Sequence, residues 1–261
     1  MTALLYQIDE RGVAYLTLDR PDLHNAFNEE LIAELSDAFT DLASHDRVRA
    51  VVLQGNGASF SAGADLDWMR RAAHYDELKN LEDAQRLSDM LYLMDSCPKP
   101  IIAKVHGNAY GGGVGLIACA DIAIAVEKAR FALTEVRLGL IPAAISPFVL
   151  KAIGPRQARR YFLTAEPISA ACAKDIGLVH QVVADETSLH DQVEITIGLL
   201  LGNAPGAVSA AKALVHDFAE RPITPELRSE TARRIASLRT SQEGQEGIAA
   251  FLEKRRPNWV H

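Results

Sequence analysis

The sequence is short of four things: paired cysteines, long apolar runs, an excess of basic charge and a nucleotide fingerprint. Its three cysteines, Cys97, Cys119 and Cys172, are odd in number, stand in apolar or helical contexts and lack CxxC spacing. That excludes a disulfide framework or a zinc ribbon and predicts a reducing compartment. The opening stretch MTALLYQIDERGVAYLTLDRP has no basic region followed by an apolar segment, and no later stretch approaches the roughly 18 unbroken apolar residues of a membrane span. A cytoplasmic protein with no membrane partner is expected. A formal net charge of -7 excludes a broad footprint for nucleic acid or an anionic surface, so any polyanionic ligand must be met by local charge. Neither GxGxxG nor GxxxxGK[ST] is present, and there is no internal repeat, low-complexity tract or disordered linker.

What is present alternates. Leu4 to Asp9 and Val13 to Leu18 read as β-strands around the hairpin signal Glu10-Arg11-Gly12. From Asn28, a candidate N-cap, Ile32, Leu35, Phe39 and Leu42 recur at helical spacing. AVVLQ (50–54), IIAKV (101–105) and IAIAV (122–126) read as buried strands, with a helix over about Asp76 to Met94 before Cys97-Pro98-Lys99-Pro100. Strands alternating with helices predict an α/β core with parallel pairing. After about Pro142 the pattern becomes helix upon helix, with GLVHQVV (177–183) as the one further strand candidate and Pro205 to Arg256 reading as wholly helical. A chain of 261 residues accommodates either one large domain or a domain with an appendage.

Two glycine-containing loops each follow a predicted strand: GNGASFSAGADL after AVVLQ, and HGNAYGGGVG after IIAKV. Glycine lets backbone approach a ligand closely. The first N–H groups of a helix point outward, unsatisfied, with the positive end of the dipole behind them. Two such loops converging would form an oxyanion hole, whereas glycines that only permit tight strand-to-helix turns would do no chemistry. Glu135 stands in FALTEVRLGLIP, where Leu133, Val136, Leu138 and Leu140 would desolvate its carboxylate and raise its pKa. A salt bridge to Arg137 at the rim is the competing reading.

Taken together, FSAGADL (60–66), PKPIIAKVHGNAYGGGVGLIACADIAIA (98–125), FALTEVRLGLIP (131–142), ISAACAKDIGLVHQVV (168–183) and EGIAAFLEKRRPNW (246–259) resemble the crotonase, or enoyl-CoA hydratase/isomerase, superfamily over nearly the whole chain. The resemblance implies a crotonase-like ββα spiral core over residues 1–200 and a C-terminal helical region over 201–261 that serves subunit contacts and a lid. It implies an acyl-CoA thioester as partner, assembly as a homotrimer or dimer of trimers, and no metal or redox cofactor, coenzyme A being part of the substrate. The thioester oxygen would be held by the N–H groups of Ala64 and Gly112, with Glu135 as the acid–base group. Ala62, Asp65 and Leu66 would line the adenine pocket. Phe251 and Lys254 would reach the coenzyme of a neighbouring subunit, with Arg255 and Arg256 adding local charge and Arg20 near the pantetheine entrance. The main departure from the two-glutamate hydratase pattern is Gly115, where a first glutamate is expected.

At finer grain, FSAGADLDWMRRAA, TEVRLGLIPAAISPFVLKAIG, ARRYFLTAE and EGQEGIAAFLEKRRPNW resemble the bacterial methylglutaconyl-CoA hydratases and the isohexenylglutaconyl-CoA hydratases. PAAISPF replaces a glycine-rich segment and implies a different acyl-pocket wall. Such substrates carry a second carboxylate, so Arg70, Arg71 and Arg137 are candidate counter-ions, with Arg70 preferred because arginine can grip a carboxylate with two hydrogen bonds. The expected reaction is addition of water at Cβ, with Glu135 as base and then acid. The water would be held by backbone, by Ser146 or by the substrate's own carboxylate. A Δ3,Δ2-enoyl-CoA isomerase is the alternative, and a non-catalytic acyl-CoA-binding or RNA-binding scaffold of the same fold is a third class, against which the acidic charge and Glu135 both speak.

Overall fold

A computed structural model describes residues 2–260. Strands β1 (Leu4–Ile8), β2 (Val13–Leu18), β3 (Ala50–Gly55), β5 (Ile101–Val105), β7 (Ile122–Val126) and β10 (Gln181–Val183) form one sheet in the order β1-β2-β3-β5-β7-β10. The hairpin β1–β2 is antiparallel and every other pair is parallel. Its inner strands are near-continuous apolar runs because helices cover the sheet. Helix α1 (Glu29–Ser44) buries Leu31, Ile32, Leu35, Ala38, Phe39 and Leu42, and the Asn28 side chain caps it by accepting from the Leu31 N–H. Helices α2 (Leu66–Ala72) and α3 (Glu77–Ser96) follow, with Asp65 and Asp76 as their caps.

A second, smaller sheet holds strands that the local sequence pattern does not show but that the ββα resemblance implies. Strands β4 (Ser59–Ser61), β6 (Asn108–Tyr110), β8 (Arg130–Ala132) and β9 (Ile168–Ser169) pair in that order, parallel except for β8 with β9. The chain therefore winds in repeating turns, each laying one strand in the large sheet and then one in the small sheet. Helix α4 (Gly112–Cys119) leaves β6 and packs against α5 (Ser146–Thr164), which breaks at Gly154-Pro155 where Gly154 has φ 71°.

Beyond α6 (Ala170–Asp175), the predicted strand over 177–183 shortens to β10. Gly177 has φ 89°, and the N–H groups of Leu178 and Val179 both turn back onto the Ala173 carbonyl. Helix α7 (Glu186–Leu201) packs against β7, β5, β10 and β3. The C-terminal stretch, read as wholly helical over 205–256, is three helices, α8 (Pro205–Phe218), α9 (Pro225–Thr240) and α10 (Gln242–Leu252). Polar contacts of two basic residues tie it back. Arg49 donates to the carbonyls of Leu201, Asn203 and Trp259, and the Lys212 ammonium meets Asp121 Oδ2 at 2.7 Å and the Lys99 carbonyl at 3.2 Å. Among the described residues no single helix is long and apolar enough to cross a membrane.

Candidate active site

The small sheet explains how residues 64, 112 and 135 meet. β4, β6 and β8 are parallel neighbours, and each runs two or three residues past its last paired position into Ala64, Gly112 and Glu135. Parallel neighbours lie about 4.8 Å apart. Three groups far apart in sequence thus arrive side by side at one edge. The Ala64 loop is braced by the segment before α1: Phe27 N–H donates to Gly63 O, Asp65 N–H to Phe27 O, and Ala62 N–H to His24 O. This pattern uses the amides on either side of Ala64 and turns its own N–H outward. Neither the Ala64 N–H nor the Gly112 N–H has a hydrogen-bond partner among the described residues.

Each glycine of the triplet meets a different constraint. Gly111 has φ 48° and ψ -116°, backbone that side chains rarely adopt, and its amide donates to the Ala132 carbonyl on β8. A Cβ at Gly112 would lie 3.0 Å from the Phe27 ring. One at Gly113 would lie 2.8 Å from the Ser61 carbonyl oxygen on β4, so Gly113 lets α4 sit directly on the small sheet.

Glu135 begins a 3₁₀ turn (Glu135–Leu138) after β8. Its carboxylate lies beside Gly111, where a Cβ would be 3.1 Å from Oε1, and its Oε2 is buried without a partner among the described residues. Burial pushes its pKa up, partly offset by a hydrogen bond from its own backbone. The rim salt bridge does not form: Arg137 donates to the Ala165 carbonyl at 2.6 Å. Ala64, Gly112 and Glu135 all line one cavity of about 350 Å³, with Phe27, Trp68, Leu140 and Ile145 among its apolar walls. Glu135 is the only titratable side chain among the lining residues.

Several expected site residues stand elsewhere. Ala62 and Leu66 line the cavity, but the Asp65 carboxylate faces away. It caps α2 through the N–H groups of Asp67 and Trp68 and pairs with Arg20 at 2.8 Å, which holds it below the usual carboxylate range despite its burial. Arg20 is thereby a clamp on the Ala64 loop. Arg70 is a correction: its side chain is 74% exposed, pairs with Asp67 at 2.5 Å and lines no part of the cavity, because the α2 face that turns inward carries Trp68 and Met69. Arg71 pairs with Glu29 at 2.6 Å. Ser146 also stands outside the lining, its hydroxyl donating to the Ala143 carbonyl at the start of α5. Gly115 is buried beneath the cavity, and a Cβ there would meet Ile145 Cγ2 at 2.5 Å, so Ile145 occupies the space that a larger residue at 115 would need. Phe251 and Lys254, at the exposed end of α10, do not line this chain's own cavity. Sequence reading missed Phe27, Trp68 and Ile145 as named wall residues; only the apolar character of their segments signalled them.

The whole architecture is shared with known proteins. The Enoyl-CoA hydratase/isomerase family matches residues 9–261. A crotonyl-CoA hydratase from Syntrophomonas wolfei is 33% identical over 253 residues, covering 96% of this chain and 95% of the relative. The crystal structure of an enoyl-CoA hydratase from Shewanella pealeana superposes with a TM-score of 0.94 at 43% identity, covering 98% of this chain and 96% of the other. That of an enoyl-CoA hydratase from Mycobacterium smegmatis gives 0.94 at 36% identity, covering 100% of both chains. With two outward amides and one buried carboxylate around an apolar cavity, the chain belongs to the enoyl-CoA hydratase/isomerase family and is an enzyme of the enoyl-CoA hydratase type.

Proposed function

We propose that this protein adds water reversibly across the double bond of a 2-enoyl-CoA using Glu135 as its one acid–base side chain. The observation that carries this is the Glu135 carboxylate, its Oε2 buried without a partner, the only titratable side chain among the described residues that line an apolar cavity also displaying two free amides. The thioester oxygen accepts from Ala64 and Gly112, which stabilise negative charge as the carbonyl becomes an enolate. Glu135 takes a proton from water as its oxygen bonds to Cβ, then returns that proton to Cα. The crotonyl-CoA hydratase relative supports a hydration reading.

For the acyl group, resemblance favours a branched acid of the 3-methylglutaconyl or isohexenylglutaconyl type. Pro142, Ala143, Ala144 and Ile145, the segment that carries this resemblance, do line the cavity. The distal carboxylate, however, finds no cation among the lining residues, since Arg70, Arg71 and Arg137 are all engaged elsewhere. An apolar acyl chain is the reading that the walls support best. Assembly as a homotrimer or dimer of trimers, with residues 201–261 making the contacts, is supported by Phe251 and Leu252, both more than 70% exposed on α10. A neighbouring copy would then bring Phe251 and Lys254 to the coenzyme, and light scattering showing only monomer would refute this.

A second reading has its own support. Ile145 fills the space beside Gly115, so among the described residues no second carboxylate flanks the cavity to share the water with Glu135, and one carboxylate suffices to move a proton between the α and γ carbons of a 3-enoyl-CoA. A mass-resolved assay with crotonyl-CoA, 3-methylglutaconyl-CoA and a 3-enoyl-CoA separates these. A gain of one water on crotonyl-CoA, absent in Glu135→Gln, is expected. Gain only on the acidic thioester would restore the methylglutaconyl reading, and a shifted double bond without mass gain would establish isomerisation.

A further inference from the structure

Helix α3 presents Asp83, Leu87, Met90, Leu91 and Met94 along its inward stripe, and four of these five are apolar as a core-facing stripe requires. Asp83 is the exception. Its residue is 8% exposed, it has no ion-pair partner among the described residues, and its one hydrogen bond there is from Trp68 Nε1 to Oδ2 at 2.6 Å. A carboxylate taken out of water costs stability unless hydrogen-bonded, and a leucine at this helical position would bury favourably. The single donor it meets belongs to an indole that lines the cavity beside Met69 and Leu87. Trp68 itself lies on α2, a two-turn helix whose other polar anchors are the Asp65 cap and the surface pair of Arg71 with Glu29.

We propose that Asp83 is a positioning residue that fixes the Trp68 indole as a wall of the acyl pocket and so sets which acyl chains the enzyme accepts. The inference rests on the reading of the cavity as the acyl pocket. With the bond in place the indole has one orientation, and the cavity one depth. Without it, the ring is held by packing alone and can turn about its side-chain torsions.

The test compares Asp83→Asn, which keeps an oxygen acceptor, with Asp83→Leu, which has none, across 2-enoyl-CoAs of four to eight carbons. Asp83→Leu is expected to change the ratio of kcat/KM between the short and long thioesters about tenfold, the scale of a one-methylene misfit in an apolar pocket, mainly through KM. Asp83→Asn should retain the wild-type ratio. The chain has two tryptophans, so in a Trp259→Phe background Trp68 is the sole indole. There Asp83→Leu should red-shift its emission and increase quenching by acrylamide, and Asp83→Asn should do neither. Should leucine prevent folding, Asp83→Ala carries the same expectations. An unchanged chain-length profile in Asp83→Leu, alongside a changed one in Trp68→Phe, would overturn the proposal while leaving the cavity reading intact. No effect of Trp68→Phe on any thioester would overturn the cavity reading itself.

Discussion

Glu135 carries its proton higher in pH than a free glutamate because burial disfavours its charged form, and this fixes the sign of two responses. The proposed hydration requires the ionised base, so the acid limb of a kcat/KM profile should fall with a midpoint above the ordinary carboxylate range. Between the unfolded and folded pKa values the folded protein binds more protons, so this group's contribution to stability is fully present below the unfolded pKa and is lost as pH rises through the folded one. Glu135→Gln should therefore lose activity by a factor of about 10²–10⁴ while melting at a higher temperature than wild type at neutral pH. A thermal melt that falls with the activity would contradict the assignment. For Arg70, exposed and paired with Asp67, replacement by alanine should leave kcat/KM unchanged on neutral and acidic thioesters alike. A selective loss on the acidic one would return Arg70 to the site.

Among elements, the start of α4 concentrates most demands in fewest residues. Gly112→Ala places a methyl 3.0 Å from the Phe27 ring, a side chain that can give, so stability should be nearly kept. Displacing one oxyanion donor should cost about 10²–10³ in kcat. Gly113→Ala instead meets the Ser61 carbonyl at 2.8 Å, backbone that cannot give; it should cost about 1–3 kcal/mol in a denaturant melt as well as activity. Equal stability of the two variants would sink this account. The long elements were legible in the sequence because each announces itself locally: Asn28 as a cap, apolar runs at 50–54, 101–105 and 122–126, a glycine triplet ahead of a helix. Four strands of two or three residues, SFS, NAY, RFA and IS, were not. They are too short to show alternation, and their pairing partners lie tens of residues away. Arg71 and Arg137 failed for the same reason, meeting Glu29 and the Ala165 carbonyl 42 and 28 residues away, whereas Arg70 is held by Asp67 one turn earlier on its own helix.

At the scale of the molecule, the C-terminal helices hang on few polar clamps. Lys212 and Asp121 are mostly buried at their contact, and Asp121 also accepts from the Ile101 N–H at the head of β5. Lys212→Met should cost about 1.5–3 kcal/mol, the range for a hydrogen bond to a charged group, and should expose residues 205–260 to protease before the rest of the chain. The pair Lys212→Met with Asp121→Asn should be milder than the single change, because it leaves no uncompensated charge. An equal or larger loss in the pair would show that packing of α8, not the charge contact, fixes the region. The stacked turns of the spiral have a different consequence. Under the proposed function, the amides that hold the thioester oxygen arrive on β4 and β6, while the group that moves protons arrives alone on β8. Grip and reaction are thus written on separate windings of the chain, and an altered third winding can redirect the chemistry while every earlier one continues to recognise the same coenzyme ester.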